Sequence, residues 1–180
     1  MKNTPMYILR LAVTLLLVTA LVAAALASVN YITKDMIAAN KQAKLQQAIA
    51  QVLPEGASNP KGTAVNAGIV KTLYTTDVGY AVEVAPVGFN AEITMMVGIA
   101  DGNVTGIAVV SHTETAGLGA VAAAKNTAGE TFRNQFVDLS GTLAVDKDGG
   151  TVDSITGATI TSRAVTEGVN AALEYIKNMG

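Results

Sequence analysis

The sequence contains no cysteine, no tryptophan and a single histidine, His112, among its 180 residues. Without cysteine the chain can form no disulfide and cannot hold an iron–sulfur cluster through thiolates, so cysteine usage says nothing about its redox compartment. One histidine argues against a metal site built from the chain's own imidazoles. The sequence therefore predicts no metal site.

Aromatic and charged residues are also scarce. Phe, Trp and Tyr make up 4% of the chain, which leaves few rings on which a nucleobase or a planar cofactor could stack. Charged residues make up 14% and the net charge is −2, so the chain lacks the basic field that attracts nucleic acid. We therefore expect no nucleic-acid partner.

Hydrophobic residues, in contrast, account for 50% of the chain, and the run at residues 11–29 carries no charge. About 20 such residues cross a bilayer core as a helix. A cleaved secretory signal is the alternative, because Lys2 and Arg10 precede the run and small residues surround Ala27, but its usual apolar region is only about 7–15 residues long. The run favours a single-pass anchor in the cell (inner) membrane, with the main domain outside the cytoplasm, although lysines on both sides leave the orientation undecided by charge.

A helical pattern follows the apolar run. Leu45, Ile49 and Val52 repeat at helical spacing and Pro54 ends the pattern, which indicates a stalk helix followed by a loop. We expect three parts in the chain: a cytoplasmic tail and transmembrane helix at 1–32, a stalk helix and linker at 33–62, and an extracytoplasmic domain at 63–180.

The pattern of the domain predicts an α+β fold, with an antiparallel sheet and helices packed on one side of it. The clearest element is a hairpin at 92–112 that turns at Asp101-Gly102-Asn103. The other expected elements are strands at 69–75, 79–89 and 141–145, helical segments at 118–125 and 130–136, and an amphipathic helix at 162–177.

Hydroxyl groups crowd the entrance of that last helix, in the stretch DSITGATITS. Gly157 permits a turn with positive φ, and Thr161 or Ser162 is expected to cap the helix. The free N–H groups of a helix start also favour an anion such as phosphate, towards which Thr159 could point. From the residues alone, a capped turn and a phosphate site both remain open.

A second unusual stretch, SHTETAGLGA, follows the hairpin. His112 and Glu114 share a strand face by their spacing, but a lone histidine is more often structural, so we assign the pair no catalytic role. The chain has no P-loop, dinucleotide fingerprint, GxSxG or zinc spacing. Lys147 and Arg163 are candidate partners for a phosphate, with solvated surface cations as the alternative.

Taken together, these stretches resemble the FMN-binding domain family. DSITGATITS is similar to that family's flavinylation motif, Asp-x-x-Ser/Thr-Gly-Ala-Thr, and SHTETAGLG is similar to its His-x-Glu-Thr-Pro-Gly-Leu-Gly element, with Ala116 where proline is usual. The hairpin, the final helix and the anchor agree as well, so the resemblance covers nearly the whole chain. It is strongest to the G subunits of Rnf electron-transport complexes, to which the C subunits of sodium-pumping NADH:quinone reductases are related.

The resemblance implies a cofactor site. Thr159 matches the residue that takes FMN through a phosphodiester bond, installed by a flavin transferase that uses FAD and a divalent metal. Asp153 opens the motif that the transferase reads, and Lys147 matches a flavin-side lysine only loosely, because the loop before Thr159 is shorter here. The remaining positions that the resemblance assigns to the motif or to the wall beside the flavin ring are Thr156, Gly157, Ala158, Thr161, Ser162, Glu114, Thr115, Gly117, Leu118 and Gly119.

The resemblance also implies a function. The chain is expected to relay electrons through covalent FMN as one subunit of a membrane-bound, ion-translocating ferredoxin:NAD oxidoreductase (Rnf) complex, and not to be catalytic alone. Its expected partners are the other subunits, the transferase during maturation and the lipid bilayer. The alternatives are a C-type subunit of a sodium-pumping quinone reductase, a stand-alone membrane-anchored FMN-domain reductase, or an anchored binding or scaffold module without redox chemistry.

Overall fold

A computed structural model describes residues 4–54, 56–58 and 60–179. The chain forms two compact units, residues 1–43 and 44–180. Lys2, which precedes the apolar run, and two residues of the predicted loop, Glu55 and Asn59, lie outside the described part of the chain.

The first helix, α1, runs over Thr4–Val52 and contains the apolar run. Its most apolar stretch of 18 residues has a mean hydropathy of 2.5 and none of that stretch is buried in the protein. Large apolar side chains exposed all round a helix are typical of a segment that faces lipid. The N-terminal unit therefore has the length and the composition of a membrane span.

The second unit is built on a five-stranded antiparallel sheet in the order β1-β2-β3-β4-β5. The strands form a meander, in which each strand pairs with the next along the chain. The turn between β4 and β5 has positive φ at Asp101 (52°) and Gly102 (79°), as a two-residue hairpin turn requires. The strands span Lys61–Ala67, Val70–Thr75, Tyr80–Val84, Thr94–Ala100 and Asn103–Ser111.

Helices cover both faces of the sheet. The last helix, α3 (Thr159–Lys177), packs Val165 and Val169 onto one face, where β3 and β4 present Val82 and Val97. A shorter helix, α2 (Thr127–Asn134), joins the same core through Phe132. Alternation along the strands sends the neighbouring side chains to the opposite face.

That opposite face receives the last turns of α1. Ile49 and Val52 are 2% and 1% exposed and pack against Met96. Gly98 makes this contact possible, since a β-carbon there would overlap the carbonyl of Val52. Thr105 completes it, because its Oγ1 donates a hydrogen bond of 2.5 Å to that same carbonyl at the end of the helix.

Several sequence predictions need correction. The helices lie on both faces of the sheet and not on one, because the end of α1 is apolar on the side that meets β3 and β4. The predicted strand at 141–145 is wrong: only Val145 makes a bridge, to Val152, and the segment 146–148 forms a 3-10 turn. The sequence pattern does not reveal strand β1, and α3 begins three residues before the predicted start at 162.

Replacing Gly98 with alanine tests whether the end of α1 is part of the folded domain. The added methyl group would displace the Val52 carbonyl, and overpacking of this kind lowers the free energy of unfolding by about 2 kcal/mol. Chemical unfolding of the full chain in detergent measures the change.

Gly106→Ala is the matched control. Its β-carbon would lie 3.4 Å from the Cα of Val52, which is ordinary contact, so we expect a change below about 0.5 kcal/mol. Equal effects of the two substitutions would contradict a specific contact between the helix end and Gly98.

Candidate functional site

A cavity of about 320 Å³ lies where the start of α3 meets two loops of the domain. One loop follows β3, and the other follows β5 and carries the stretch SHTETAGLG. The cavity is lined by Phe89, Glu114, Thr115, Leu118, Gly119, Gly157, Ala158, Thr159, Ile160 and Thr161. It thus joins the two stretches that the sequence singled out.

The start of α3 supplies the polar part of the cavity. Thr159 is the first residue of the helix, and Ala158, just before it, makes no side-chain capping bond. Among the described residues, the N–H groups of Thr159, Ile160 and Thr161 have no hydrogen-bond acceptor. Free N–H groups and the positive end of the helix dipole favour an anion at this position.

The two hydroxyls predicted to cap α3 have other roles. Because the helix starts at Thr159, Thr161 and Ser162 lie within its first turn, and the expectation that one of them caps it is wrong. Ser162 is buried; its Oγ accepts the N–H of Ile155 at 2.9 Å and donates to the carbonyl of Ala158 at 3.0 Å. It therefore closes the turn ahead of the helix.

Thr161 is 1% exposed, and its hydroxyl donates to the Glu114 carboxylate. Of the other hydroxyls in the motif, Thr156 is exposed and lies outside the cavity lining, whereas Thr159 is half-buried and lines it. Thr159 thus lies at the helix start that favours an anion. Its hydroxyl makes no hydrogen bond among the described residues.

Glu114 ties the wall of the cavity together. Its side chain is 8% exposed, and its Oε1 accepts the backbone N–H groups of Phe89 (2.9 Å) and Asn90 (3.2 Å). Its Oε2 accepts the Thr161 hydroxyl. One carboxylate therefore joins the loop after β3, the loop after β5 and the first turn of α3, and its hydrogen bonds offset the cost of burying the charge.

Two glycines make room for this carboxylate. A β-carbon on Gly119 would overlap both Glu114 Oε2 and the Thr161 hydroxyl, and one on Gly88 would lie 2.6 Å from Glu114 Oε1. Gly117 differs from these two glycines. Its φ of 76° permits the turn, and a β-carbon added there would have no neighbour within 4 Å. Of the two glycines predicted to shape the wall, Gly119 lines the cavity and Gly117 only turns the loop.

Apolar side chains form the mouth of the cavity. Phe89, Leu118 and Ile160 are 64%, 44% and 49% exposed and line the same cavity, and an exposed apolar cluster of this kind is typical of a binding site. Gly157, with φ of 74°, brings the backbone to the Leu118 side chain, where a β-carbon would lie 3.2 Å from Cδ2. The cavity therefore combines an apolar rim with a polar floor at the helix start.

The beginning of the motif is held from outside the cavity. Gln135 uses its side-chain amide twice on the backbone of Asp153: its Oε1 accepts the N–H at 2.7 Å and its Nε2 donates to the carbonyl at 3.2 Å. Asp146 accepts the N–H of Ser154 at 3.0 Å. These bonds leave the Asp153 side chain exposed at the surface.

The two basic candidates are engaged by acidic neighbours. Lys147 lies 3.1 Å from the Asp146 carboxylate, and Arg163 makes a two-point contact of 2.7 and 2.6 Å with Asp148. Neither cation lines the cavity. Hydrogen bonds from Ser154 and then from Lys147 hold the pKa of Asp146 well below its usual range.

The structure thus brings together eight of the predicted site residues around one cavity: Glu114, Thr115, Leu118, Gly119, Gly157, Ala158, Thr159 and Thr161. Asp153, Thr156, Gly117, Ser162 and Lys147 lie outside its lining. Sequence reasoning missed Phe89 and Ile160 in the lining and Gln135 behind the motif, because an isolated apolar residue and a glutamine at a helix end carry no sequence signal.

Two known family models match this chain. Residues 88–174 match the model of the FMN-binding domain, and residues 1–52 match the model of the RnfG N-terminal region. The first match contains every residue that lines the cavity. The chain thus contains an FMN-binding domain that follows an N-terminal apolar helix.

Curated relatives extend over most of the chain. It is 32% identical to the G subunit of the ion-translocating oxidoreductase complex of Methanosarcina acetivorans, over 94% of each chain. It is 37% identical to the G subunit of the proton-translocating ferredoxin:NAD(+) oxidoreductase complex of Clostridium ljungdahlii, over 84% of this chain and 82% of the other. The G subunit of the Na(+)-translocating ferredoxin:NAD(+) oxidoreductase complex of Acetobacterium woodii is 31% identical, over 96% and 93%. The chain belongs to the family of G subunits of ion-translocating oxidoreductase complexes.

Removing the Glu114 carboxylate should destabilise the site. Glu114→Ala leaves the part-buried N–H groups of Phe89 and Asn90 and the buried Thr161 hydroxyl without their partner, which costs about 3 kcal/mol of unfolding free energy. Glu114→Gln keeps one oxygen as acceptor and should cost roughly 1 kcal/mol. Chemical unfolding in detergent compares the two, and equal losses would contradict the hydrogen-bonding role.

A pH titration tests the Asp146 bond to the motif. The folded-state pKa of Asp146 lies below its usual value, so the stability that this group contributes is present above the unfolded-state pKa, about 3.9, and is lost as the pH falls through the folded-state pKa. We expect the melting temperature to decline from pH 5 downward, and the decline to be shallower in Asp146→Asn. Melting temperatures are measured by circular dichroism at a series of pH values. The same dependence of melting temperature on pH in both proteins would contradict the prediction.

Proposed function

We propose that the chain is an electron-carrying subunit of a membrane-bound, ion-translocating ferredoxin:NAD oxidoreductase complex, and that it carries FMN in a phosphodiester bond to Thr159. The names of the relatives in Clostridium and Acetobacterium support the complex. The match to the FMN-binding domain supports the cofactor. The placement of Thr159 at the uncapped start of α3, inside the cavity, carries the proposal for the attachment point.

The residues around the cavity fit the phosphate of FMN. The N–H groups of the first turn of α3 would donate to its oxygens, and a phosphodiester keeps one negative charge, which the helix start stabilises by about 0.3–1 kcal/mol. Among the cavity-lining residues Glu114 is the only carboxylate, and its oxygens are already bonded to Phe89, Asn90 and Thr161. The polar floor therefore suits an anion in spite of that carboxylate.

The rim fits the ring system. Phe89, Leu118 and Ile160 are apolar and exposed, and a planar aromatic ring laid against them would bury apolar area on both sides of the contact. These three side chains would hold the ring and exclude water from one face. When bound, FMN supplies one- and two-electron redox chemistry, for which the protein side chains have no group of their own.

In the attachment step, FAD donates its FMN part to Thr159. The Thr159 Oγ–phosphorus bond forms, the pyrophosphate bond of FAD breaks, AMP leaves, and the hydroxyl proton is lost to a base of the transferase. A covalent tether suits a protein with only 4% aromatic residues, because it removes the need for tight noncovalent stacking. The exposed Asp153 side chain is available to the transferase, which we propose as the maturation partner.

Membrane anchoring completes the proposal. The apolar helix α1 supports membrane association, and we propose the parts expected from the sequence: tail and span at 1–32, stalk and linker at 33–62, and an extracytoplasmic FMN domain at 63–180. The other subunits of the complex are its partners, together with the bilayer. We assign the chain no catalytic residue, because it passes electrons and converts no substrate.

The attachment point is tested by removing single hydroxyls. The full chain is co-expressed with a flavin transferase, and denaturing gels are viewed under ultraviolet light. We expect a fluorescent band for the unmodified sequence and for Thr151→Val, which removes an exposed hydroxyl outside the motif, and a dark band for Thr159→Val, since valine has the shape of threonine without its hydroxyl.

Mass spectrometry of the tryptic peptide then places the added FMN on the residue itself. A fluorescent Thr159→Val band would overturn the attachment point while leaving the FMN domain intact. A dark band for the unmodified sequence, with a colourless native protein, would instead favour a scaffold module without redox chemistry.

A further inference from the structure

A second cavity, of about 340 Å³, lies along the outer edge of β5 and shares no lining residue with the first. The end of α1 forms one wall, and the end of a 3-10 turn at Gly119–Ala123, with Lys125 just after it, forms the other. Its lining consists of Lys44, Gln47, Ala48, Gln51, Ala108, Val109, Val110, Ser111, His112, Ala123 and Lys125. All of these residues belong to the unit formed by residues 44–180.

The edge of β5 that borders this cavity is unpaired. Among the described strands, β5 ends the sheet and pairs only with β4. At its start, Val104 bonds on its outer side to Asp138 and Leu139, at 2.8 and 2.9 Å. Beyond Val104, no described residue makes a backbone hydrogen bond to the outer side of the strand. Unpaired N–H and C=O groups therefore follow one another along the strand, as on any free sheet edge.

The charged side chains that line this cavity are both positive. Lys44 and Lys125 are its only charged side chains, both are exposed, and neither forms a salt bridge among the described residues. His112 adds a donor: its Nδ1 accepts the N–H of Glu114 at 3.2 Å, so the neutral ring carries its proton on Nε2. In a chain of net charge −2, the cavity is a local basic site.

A free edge flanked by lysines has two explanations. Lysines discourage edge-to-edge aggregation, and this alone would explain them. An anionic ligand such as a phosphate or a lipid headgroup would pair with the lysines and accept from N–H groups, but it could not donate to the strand carbonyls. An extended peptide does both, and acidic side chains on it would reach the lysines.

We propose that this cavity binds an extended segment with acidic side chains, supplied by another subunit of the complex and added to the sheet beside β5. The proposal rests on the complex membership proposed above and does not depend on FMN. The backbone edge provides affinity, and the two lysines select an acidic sequence and exclude a basic one.

Cross-linking in the intact complex tests the partner. A photoreactive benzoylphenylalanine is placed at Ser111, which is exposed and lines the cavity, and at Thr63 on the opposite edge strand as the control. We expect irradiation to link position 111, and not 63, to one subunit, within a peptide that contains Asp or Glu. A link to lipid, to a second copy of this chain or to a segment without acidic residues would overturn the proposal, as would the absence of a link.

Charge reversal tests the role of the lysines. In Lys44→Glu/Lys125→Glu the cross-link yield at position 111 should fall by about tenfold, because like charges then face each other. Lys61→Glu/Lys177→Glu changes the net charge equally at exposed positions outside this cavity and should leave the yield unchanged.

An unchanged yield in the first variant would show that the lysines only protect the edge. The same preparations separate the two levels of proposal. If the unmodified chain does not purify with other subunits, the proposal of complex membership is wrong. If the chain purifies with them but position 111 forms no cross-link to an acidic segment, only the proposal of the β5 site is wrong.

Discussion

Buried in the wall of the first cavity, the Glu114 carboxylate accepts hydrogen bonds from Phe89, Asn90 and Thr161, which lie on segments far apart in the chain. A buried carboxylate is costly unless its oxygens are satisfied, so these three donors and the carboxylate constrain one another. The start of α3 is thereby fixed relative to both loops. Every other feature of the candidate site, from the apolar rim to the position of Thr159, depends on that arrangement.

The hydroxyls of the motif divide into two groups by their environment. Thr161 and Ser162 are buried. The Thr161 hydroxyl bonds to Glu114, and the Ser162 hydroxyl bonds to the turn before the helix. Thr159 keeps its hydroxyl in the cavity, at a helix start with no side-chain cap. A side-chain cap would occupy the N–H groups that we propose for the phosphate, so its absence agrees with an anion site.

The sheet gives each of its faces and one of its edges a separate role. One face packs against α3, which presents the candidate flavin site. The other face holds the end of α1, where Gly98 and Thr105 fit the Val52 carbonyl. Beyond Val104, the outer edge of β5 has no backbone partner among the described residues; it lies beside Lys44 and Lys125, and there we propose a partner subunit.

Local chemistry determined what the sequence could predict. The uncharged run at 11–29, the Asp101-Gly102 turn and the helical period of α3 each depend on neighbours in the chain, and the structure agrees with all three. The membership of the FMN-binding domain family was also readable, because DSITGATITS and SHTETAGLG are contiguous stretches. The proposal for Thr159 begins from the same motif.

Only the tertiary structure decided the contacts between distant segments. Glu114 and Thr161 are 47 residues apart, and Gln135 and Asp153 are 18 apart, so no local pattern shows that they meet. The helix starts at 159 and not at 162. The Thr161 hydroxyl bonds to the distant Glu114 and the Ser162 hydroxyl bonds to the turn just before the helix, so neither caps the helix N–H groups. The strand expected at 141–145 did not form because its backbone bonds elsewhere: both backbone groups of Leu143 bond to the Asn170 side chain, and Val145 makes an isolated bridge to Val152. Sequence sets local preference, and hydrogen-bond partners brought by packing decide which preference is realised.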